Sequence, residues 1–176
     1  VAAVDMEDGI VRALVLASKD GLTAVSGRVY VDCTGDGDLA AWAGAPFEKG
    51  DADGALQPAT HCFMLSNVDS YAYTHGSRPN KDFLHAHADT DKYPLLADMH
   101  LCNNLIGPAT VGFNTGHLWG VDNTDAASLS RALTEGRKVA RQFRDALAEY
   151  YPAAFGNAYL AATGALLGIR ETRRIQ

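Results

Sequence analysis

The chain has 176 residues, of which 47% are apolar and 20% charged, and its formal net charge is −6. That is the length of one ordinary domain with mass enough for a buried core, in the balance typical of a soluble globular protein. The net negative charge gives no general attraction to nucleic acid or an anionic membrane. No apolar run approaches the roughly 18 residues of a membrane-spanning helix, and no charged-then-apolar leader is visible.

Three cysteines, Cys33, Cys62 and Cys102, are odd in number, far apart and without a C-x-x-C pair. Neither a disulfide framework nor a structural zinc site is expected, and reduced thiols in a cytoplasmic protein are the default. The chain opens without Met on Val-Ala-Ala-Val-Asp and stops at Arg-Arg-Ile-Gln, so it is expected to be an internal piece of a longer polypeptide.

In chain order, Glu7-Asp8-Gly9 and Lys19-Asp20-Gly21 are turn signals between β-rich runs. They predict an antiparallel meander of Val1–Met6, Ile10–Ser18 and Leu22–Asp32. The last part, Gly27–Asp32, reads as a strand entering a buried sheet. Cys33–Asp38 is a glycine-rich turn, and Leu39–Ala45 a short helix. Pro58–Val68 and Ala109–Leu118 read as strands and Asn80–Asp89 as a short helix. The weakly periodic Asn67–Leu101 reads as a cap or surface region.

Thr124 or Asp125 caps a helix running to about Tyr150, with Pro152 as its stop. Its apolar stripe is Ala126, Leu129, Leu133, Val139, Phe143, Leu147 and Tyr150. Lys and Arg cluster toward this end of the chain at helical intervals, the pattern of a solvated face. The fold class that follows is mixed α/β, with a β-meander beside a central sheet packed with helices.

Thr34-Gly35-Asp36-Gly37-Asp38 is the most informative stretch. Glycines let backbone N–H groups approach a bulky anion, and the following helix would aim its N-terminus at a pyrophosphate. Thr34 can donate, and Asp36 and Asp38 can accept from ribose or ribityl hydroxyls. An Asp-capped turn explains the same spacing, and two carboxylates repel a phosphate placed too near.

Val31–Ala40 followed by Ala43-Gly44-Ala45-Pro46-Phe47 resembles a segment of the FAD-dependent oxidoreductases of the two-dinucleotide-binding type. Gln57-Pro58-Ala59-Thr60, Gly120–Asp125 and Gly168-Ile169-Arg170-Glu171-Thr172-Arg173-Arg174-Ile175 are similar to further segments of that group, in the same order. The resemblance implies a partial FAD/NAD(P)-binding-like domain with a cap segment. Residues 1–48 would be the meander and flavin-contacting loop, 49–122 the substrate or cap segment, and 123–176 the long helix and return segment.

It also implies that Thr34, Gly35 and Asp36 lie beside the FAD pyrophosphate and ribityl, with Gly37 and Asp38 shaping the same turn. Gly168 opens the return motif. Arg170 would approach the flavin or an anionic substrate, with Glu171 orienting Arg170 or Arg173. Arg174 fits a surface salt bridge better. The group's N-terminal G-x-G-x-x-G loop is absent from these residues, so FAD binding by the chain alone is expected to be weak or absent.

The implied partners are a small-molecule substrate and a second copy meeting through truncated faces, with no nucleic acid and no membrane. The catalytic base and the substrate are not identified. His85-Ala86-His87 with Asp89 resembles a metal pair, and His75, His100 and Cys102 are conceivable further ligands. An H-x-H on a helix points its rings apart, so no metal site is expected. His61 and His117 read as core or rim histidines, and Asp51–Gly54 lacks the terminal Glu of a calcium loop. A non-catalytic binding module, or a hydrolase or lyase using His and Asp, are the alternatives. They differ from the flavin reading in not requiring Thr34–Asp38 and Arg170 to meet at one surface.

Overall fold

At the first Asp-Gly, Asp8 (φ 49°) and Gly9 (φ 76°) both take left-handed backbone, the geometry of the tight hairpin turn that matches strand twist. It joins β1 (Ala3–Glu7) to β2 (Ile10–Ser18), and Gly21 begins β3 (Gly21–Val25), giving an antiparallel sheet in the order β1-β2-β3. The computed structural model describes residues 1–76, 79, 91–96, 101–170 and 172–176. These form two compact units, one of Val1–Gln57 with the C-terminal segment ending at Gln176, the other Pro58–Arg170.

In the first unit, β3 stops at Val25 and the expected continuation to Asp32 is not a strand. The Tyr30 hydroxyl accepts the Gly27 N–H at 2.7 Å and donates to the Arg12 carbonyl at 2.8 Å, which folds residues 27–30 back across β2. Val29 and Val31 are consequently 80% and 75% exposed instead of lining a buried sheet. The short helix does form, as α1 (Asp38–Trp42), with Leu39 buried. β4 is Phe47–Glu48.

The second unit holds β5 (Ala59–Thr60), β6 (Phe63–Ser66), α2 (Ser70–His75), β7 (Leu101–Gly107), β8 (Thr110–Thr115) and β9 (His117–Leu118). It continues with α3 (Ala126–Tyr150), α4 (Pro152–Phe155) and β10 (Tyr159–Thr163). The main sheet is antiparallel in the order β10-β6-β8-β7, with β5 and β9 paired separately. The predicted strand over Pro58–Val68 is thus two strands, and that over Ala109–Leu118 is interrupted at Gly116 (φ 76°). Helix α2 and strands β7 and β10 were not anticipated. The predicted helix at Asn80–Asp89 lies outside the described residues.

One sheet face carries Phe63, Leu65, Val111, Phe113 and Thr115, all buried, as strand alternation requires. Phe63 and Phe113 are cross-strand partners with stacked rings 4.7 Å apart, and Phe143 of α3 and Phe155 of α4 complete the cluster. Fully burying a side chain like Phe143 stabilises by about 1.5–3 kcal/mol.

Asp125 caps α3 by accepting the Ala127 N–H at 2.9 Å, and Pro152 follows its end, both as predicted. The buried line of α3 is Ser128, Ala132, Gly136, Val139, Ala140, Phe143, Ala146 and Leu147. From the predicted stripe, Val139, Phe143 and Leu147 are buried, Leu129, Leu133 and Tyr150 partly so, and Ala126 is exposed. Small residues every fourth position, Ser128, Ala132, Gly136 and Ala140, rotate the stripe because they let the helix approach closely.

The segment 91–96 is pinned to α3, where Tyr93 and Lys92 both donate to Glu149 Oε2 at 2.6 Å, and Leu95 N–H donates to Gln142 at 3.0 Å. Burial, and then the hydrogen bond to Glu149, raise the Tyr93 hydroxyl above its usual range. Lys92 first, then Tyr93, hold Glu149 low.

Gly136 is the point of closest approach, since a Cβ there would stand 2.5 Å from both Cβ and Nδ1 of His61. Gly136→Ala should therefore destabilise the protein by roughly 1–3 kcal/mol through overpacking, although alanine is the better helix former. In the His61→Gly background, which removes both of those atoms, the same substitution should cost clearly less. Urea unfolding of the two single variants and the double variant measures this coupling.

Candidate functional site

The sequence D-x-T-G-D-G-D builds a turn that satisfies itself. Asp32 sits two residues before Thr34, and its Oδ1 accepts the Thr34 N–H at 2.8 Å, an Asx turn. Its Oδ2 accepts the Ala40 N–H at 2.8 Å, inside the first turn of α1. Thr34 Oγ1 accepts the Asp38 N–H at 3.0 Å. Burial pushes the Asp32 carboxyl up, but hydrogen bonds from Ala40, Thr34 and Leu39 outweigh it and hold the group below its usual range. The amides that a helix start could offer an anion are thus met by Asp32 and Thr34.

The two glycines of the turn differ in role. Gly37 takes φ 61° and ψ 37° just ahead of α1, and a Cβ there would lie 2.9 Å from Ile175 Cδ1. Among the described residues no atom lies within 4 Å of a Cβ added at Gly35, so the backbone is open to approach on that side.

β11 (Arg174–Ile175) pairs antiparallel with β4, Arg174 opposite Glu48 and Ile175 opposite Phe47, and the Gln176 N–H donates to the Pro46 carbonyl at 3.0 Å. This pairing carries Thr172 and Arg173 to the loop. Thr172 is 2% exposed and donates its hydroxyl to the Asp36 carboxylate. Arg173 Nη1 donates to Asp38 Oδ1 at 2.6 Å and to the Asp36 carbonyl at 3.0 Å, with its guanidinium 5.4 Å from the Phe47 ring centre. The Arg173 side chain is only 11% exposed, and among the described residues its buried Nε has no acceptor.

Of the predicted residues, Thr34, Gly35, Asp36, Gly37, Asp38 and Arg173 therefore form one cluster in the first unit. Gly168 and Arg170 belong to the second unit. Gly168 exchanges both backbone hydrogen bonds with Thr60, at 2.7 and 3.1 Å, and Arg170 is exposed. Glu171 lies outside the described residues, as do His85, His87, Asp89 and His100. Among the described residues the acid paired with Arg173 is Asp38. Arg174 donates to the Gly50 carbonyl at 2.6 Å and reaches Glu48 at 3.4 Å near the surface, as expected.

Asp32, Thr172 and Phe47 went unassigned from sequence. The Asp two residues before a Thr-Gly was the available signal for the first. His61 is 3% exposed in the link between β5 and β6, with Nε2 2.8 Å from the Gly164 carbonyl, so that nitrogen carries the proton. Among the described residues no group of His, Cys, Asp or Glu is placed to hold a metal ion, and no helix is long and apolar enough to cross a membrane.

A family model described as FAD dependent oxidoreductase matches residues 1–176. The chain belongs to the FAD dependent oxidoreductase family, whose cofactor is FAD. Nothing matches among curated proteins or among solved structures.

The electrostatics of the loop give a pH test. The Asp32 carboxyl is lowered in the folded protein, so it stabilises above the unfolded value of about 3.9, and the contribution is lost as pH falls through the folded value. Asp32→Asn should be less stable than the parent at neutral pH. The gap in urea midpoint should close progressively below about pH 4.

Proposed function

We propose that this chain is the part of an FAD-dependent oxidoreductase that contacts the flavin through residues 1–48, contributes a substrate or cap segment through 49–122, and returns to the flavin through 123–176. When bound, FAD supplies the hydride or electron transfer between an organic substrate and an acceptor, and the protein supplies position and electrostatics. The observation that carries this reading is the pair of carboxylates beside the open face of Gly35.

The donor set fits part of the cofactor well. Asp36 and Asp38 are acceptors held in place by Thr172 and Arg173, and a carboxylate has lone pairs for more than one donor. Ribityl and ribose hydroxyls are such donors. The turn does not fit a pyrophosphate, because its first helical amides are already met and carboxylates repel phosphate. The phosphate-binding glycine loop, a G-x-G-x-x-G that these residues lack, would come from elsewhere in the polypeptide. On this reading Arg170, with its fixed charge, stabilises the reduced flavin or an anionic substrate, and Glu171 orients it.

Protein purified from the complete reading frame should show a flavin visible spectrum, and the 176-residue chain alone should show little or none. A complete protein that is colourless and gains no spectrum with added FAD would overturn the reading in favour of a non-catalytic binding module. The same reading includes self-association of the isolated chain through exposed apolar residues such as Val29 and Val31. Light scattering should give a mass above the monomer, and a monomer at high concentration counts against it.

A further inference from the structure

Strand alternation turns one face of the main sheet away from the aromatic core, and two neighbouring rows of residues cross it. Register places Ala162, Met64, Gly112 and Asn104 in the first row, across β10, β6, β8 and β7. In the second row the Gly164 N–H donates to the Cys62 carbonyl at 2.7 Å, and the Cys62 thiol donates to the Asn114 amide oxygen at 3.6 Å. Asn114 in turn faces Cys102 across the β7–β8 ladder. Every residue of the two rows lines one cavity of about 430 Å³, a size for a small organic molecule. The floor of that cavity is therefore a single surface, the outer face of one sheet.

The residues of the floor select a ligand. Gly112, Gly164 and Ala162 put little or no side chain above the strands, so a flat body can lie on them. Ile106 leans over Gly112 as an apolar wall, 3.1 Å from where a Cβ would stand. The Met64 thioether and the Cys62 and Cys102 thiols are exposed, and polarisable sulfur packs favourably against ring edges. Neither row contains an acid, a base or a histidine, so a charged ligand would shed hydration and gain no counter-charge from the floor. The Asn114 oxygen is engaged by the Cys62 thiol, and what this carboxamide offers a ligand is its N–H donors, which a carbonyl oxygen matches. Cys62 and Cys102 flank Asn114 at two strand spacings, about 10 Å, too far for a disulfide between them.

We propose that the second unit binds a flat, uncharged ring compound bearing a carbonyl group. Its ring lies on Gly112 against Met64, its carbonyl oxygen accepts from the Asn114 amide, and Cys62 and Cys102 stand on either side. As a statement about substrate this rests on the oxidoreductase reading, whereas binding itself does not.

The two thiols report on occupancy, and Cys33, exposed in the other unit, is an internal control. The test is alkylation of the complete protein by iodoacetamide, followed at each cysteine by peptide mass spectrometry, with coumarin as the ring compound. At about ten times its Kd, coumarin should slow Cys62 and Cys102 roughly tenfold, in proportion to the sites left empty. Cys33 should be unaffected, and coumarin-3-carboxylate at the same concentration should protect neither thiol. Asn114→Leu should weaken coumarin roughly fivefold, the worth of one hydrogen bond. Met64→Arg, at an exposed position, should shift the preference toward the carboxylate. Should either variant fail to fold, protection in the parent protein decides alone. No protection by coumarin, equal slowing of Cys33, equal protection by the carboxylate, or thiols that never react overturns the proposal. Protection that appears only after flavin is removed would assign the floor to the cofactor's own ring and overturn it as well. The flavin spectrum of the same preparation is read independently, so a yellow protein that ignores coumarin leaves the oxidoreductase reading standing.

Discussion

Asp36 and Asp38 are held two residues apart on a tight turn, with Asp32 folded under the same turn, and three carboxylates in so short a stretch repel one another. The turn is stable only if each negative charge is met by donors, and the donors come from two directions. Local amides satisfy Asp32. Thr172 and Arg173, more than 130 residues further along the chain, satisfy Asp36 and Asp38. Arg173 is nearly buried and stacks on Phe47, so the low local dielectric strengthens its bond to Asp38. Through this contact the C-terminal strand and the loop specify each other. The pairing of β11 with β4 sets the register that brings the guanidinium to the turn, and the guanidinium holds that two-residue ladder in place.

The second unit is ordered by a different constraint, the closeness of α3 to the sheet. A helix that presents Ala132, Gly136 and Ala140 can lie lower than one presenting leucines, and Phe143 then reaches Phe63 of the aromatic pair. His61 occupies the space that the missing Gly136 side chain leaves, and its bond to Gly164 ties the link before β6 to the chain leaving β10. With the core on that side, the opposite sheet face is left to glycine, alanine, asparagine and cysteine, which make a floor instead of a second core.

Features governed by local rules were legible in the sequence. The Asp8-Gly9 hairpin, α1, the Asp125 cap and the Pro152 stop each follow from a few neighbouring residues. What misled were segments whose outcome depends on distant partners. Gly27–Asp32 has the composition of a strand, but Tyr30 finds the Arg12 carbonyl and folds it back. β10 pairs with the distant β6, and β7, though it pairs with its neighbour β8 across a short turn, shares with β10 a sequence of too little alternation to announce a buried face. In the site, the motif residues were recognisable as a group, while the partnership of Arg173 with Asp38 was not. Asp38 is distant in sequence, and the β4–β11 register is what brings the guanidinium to it.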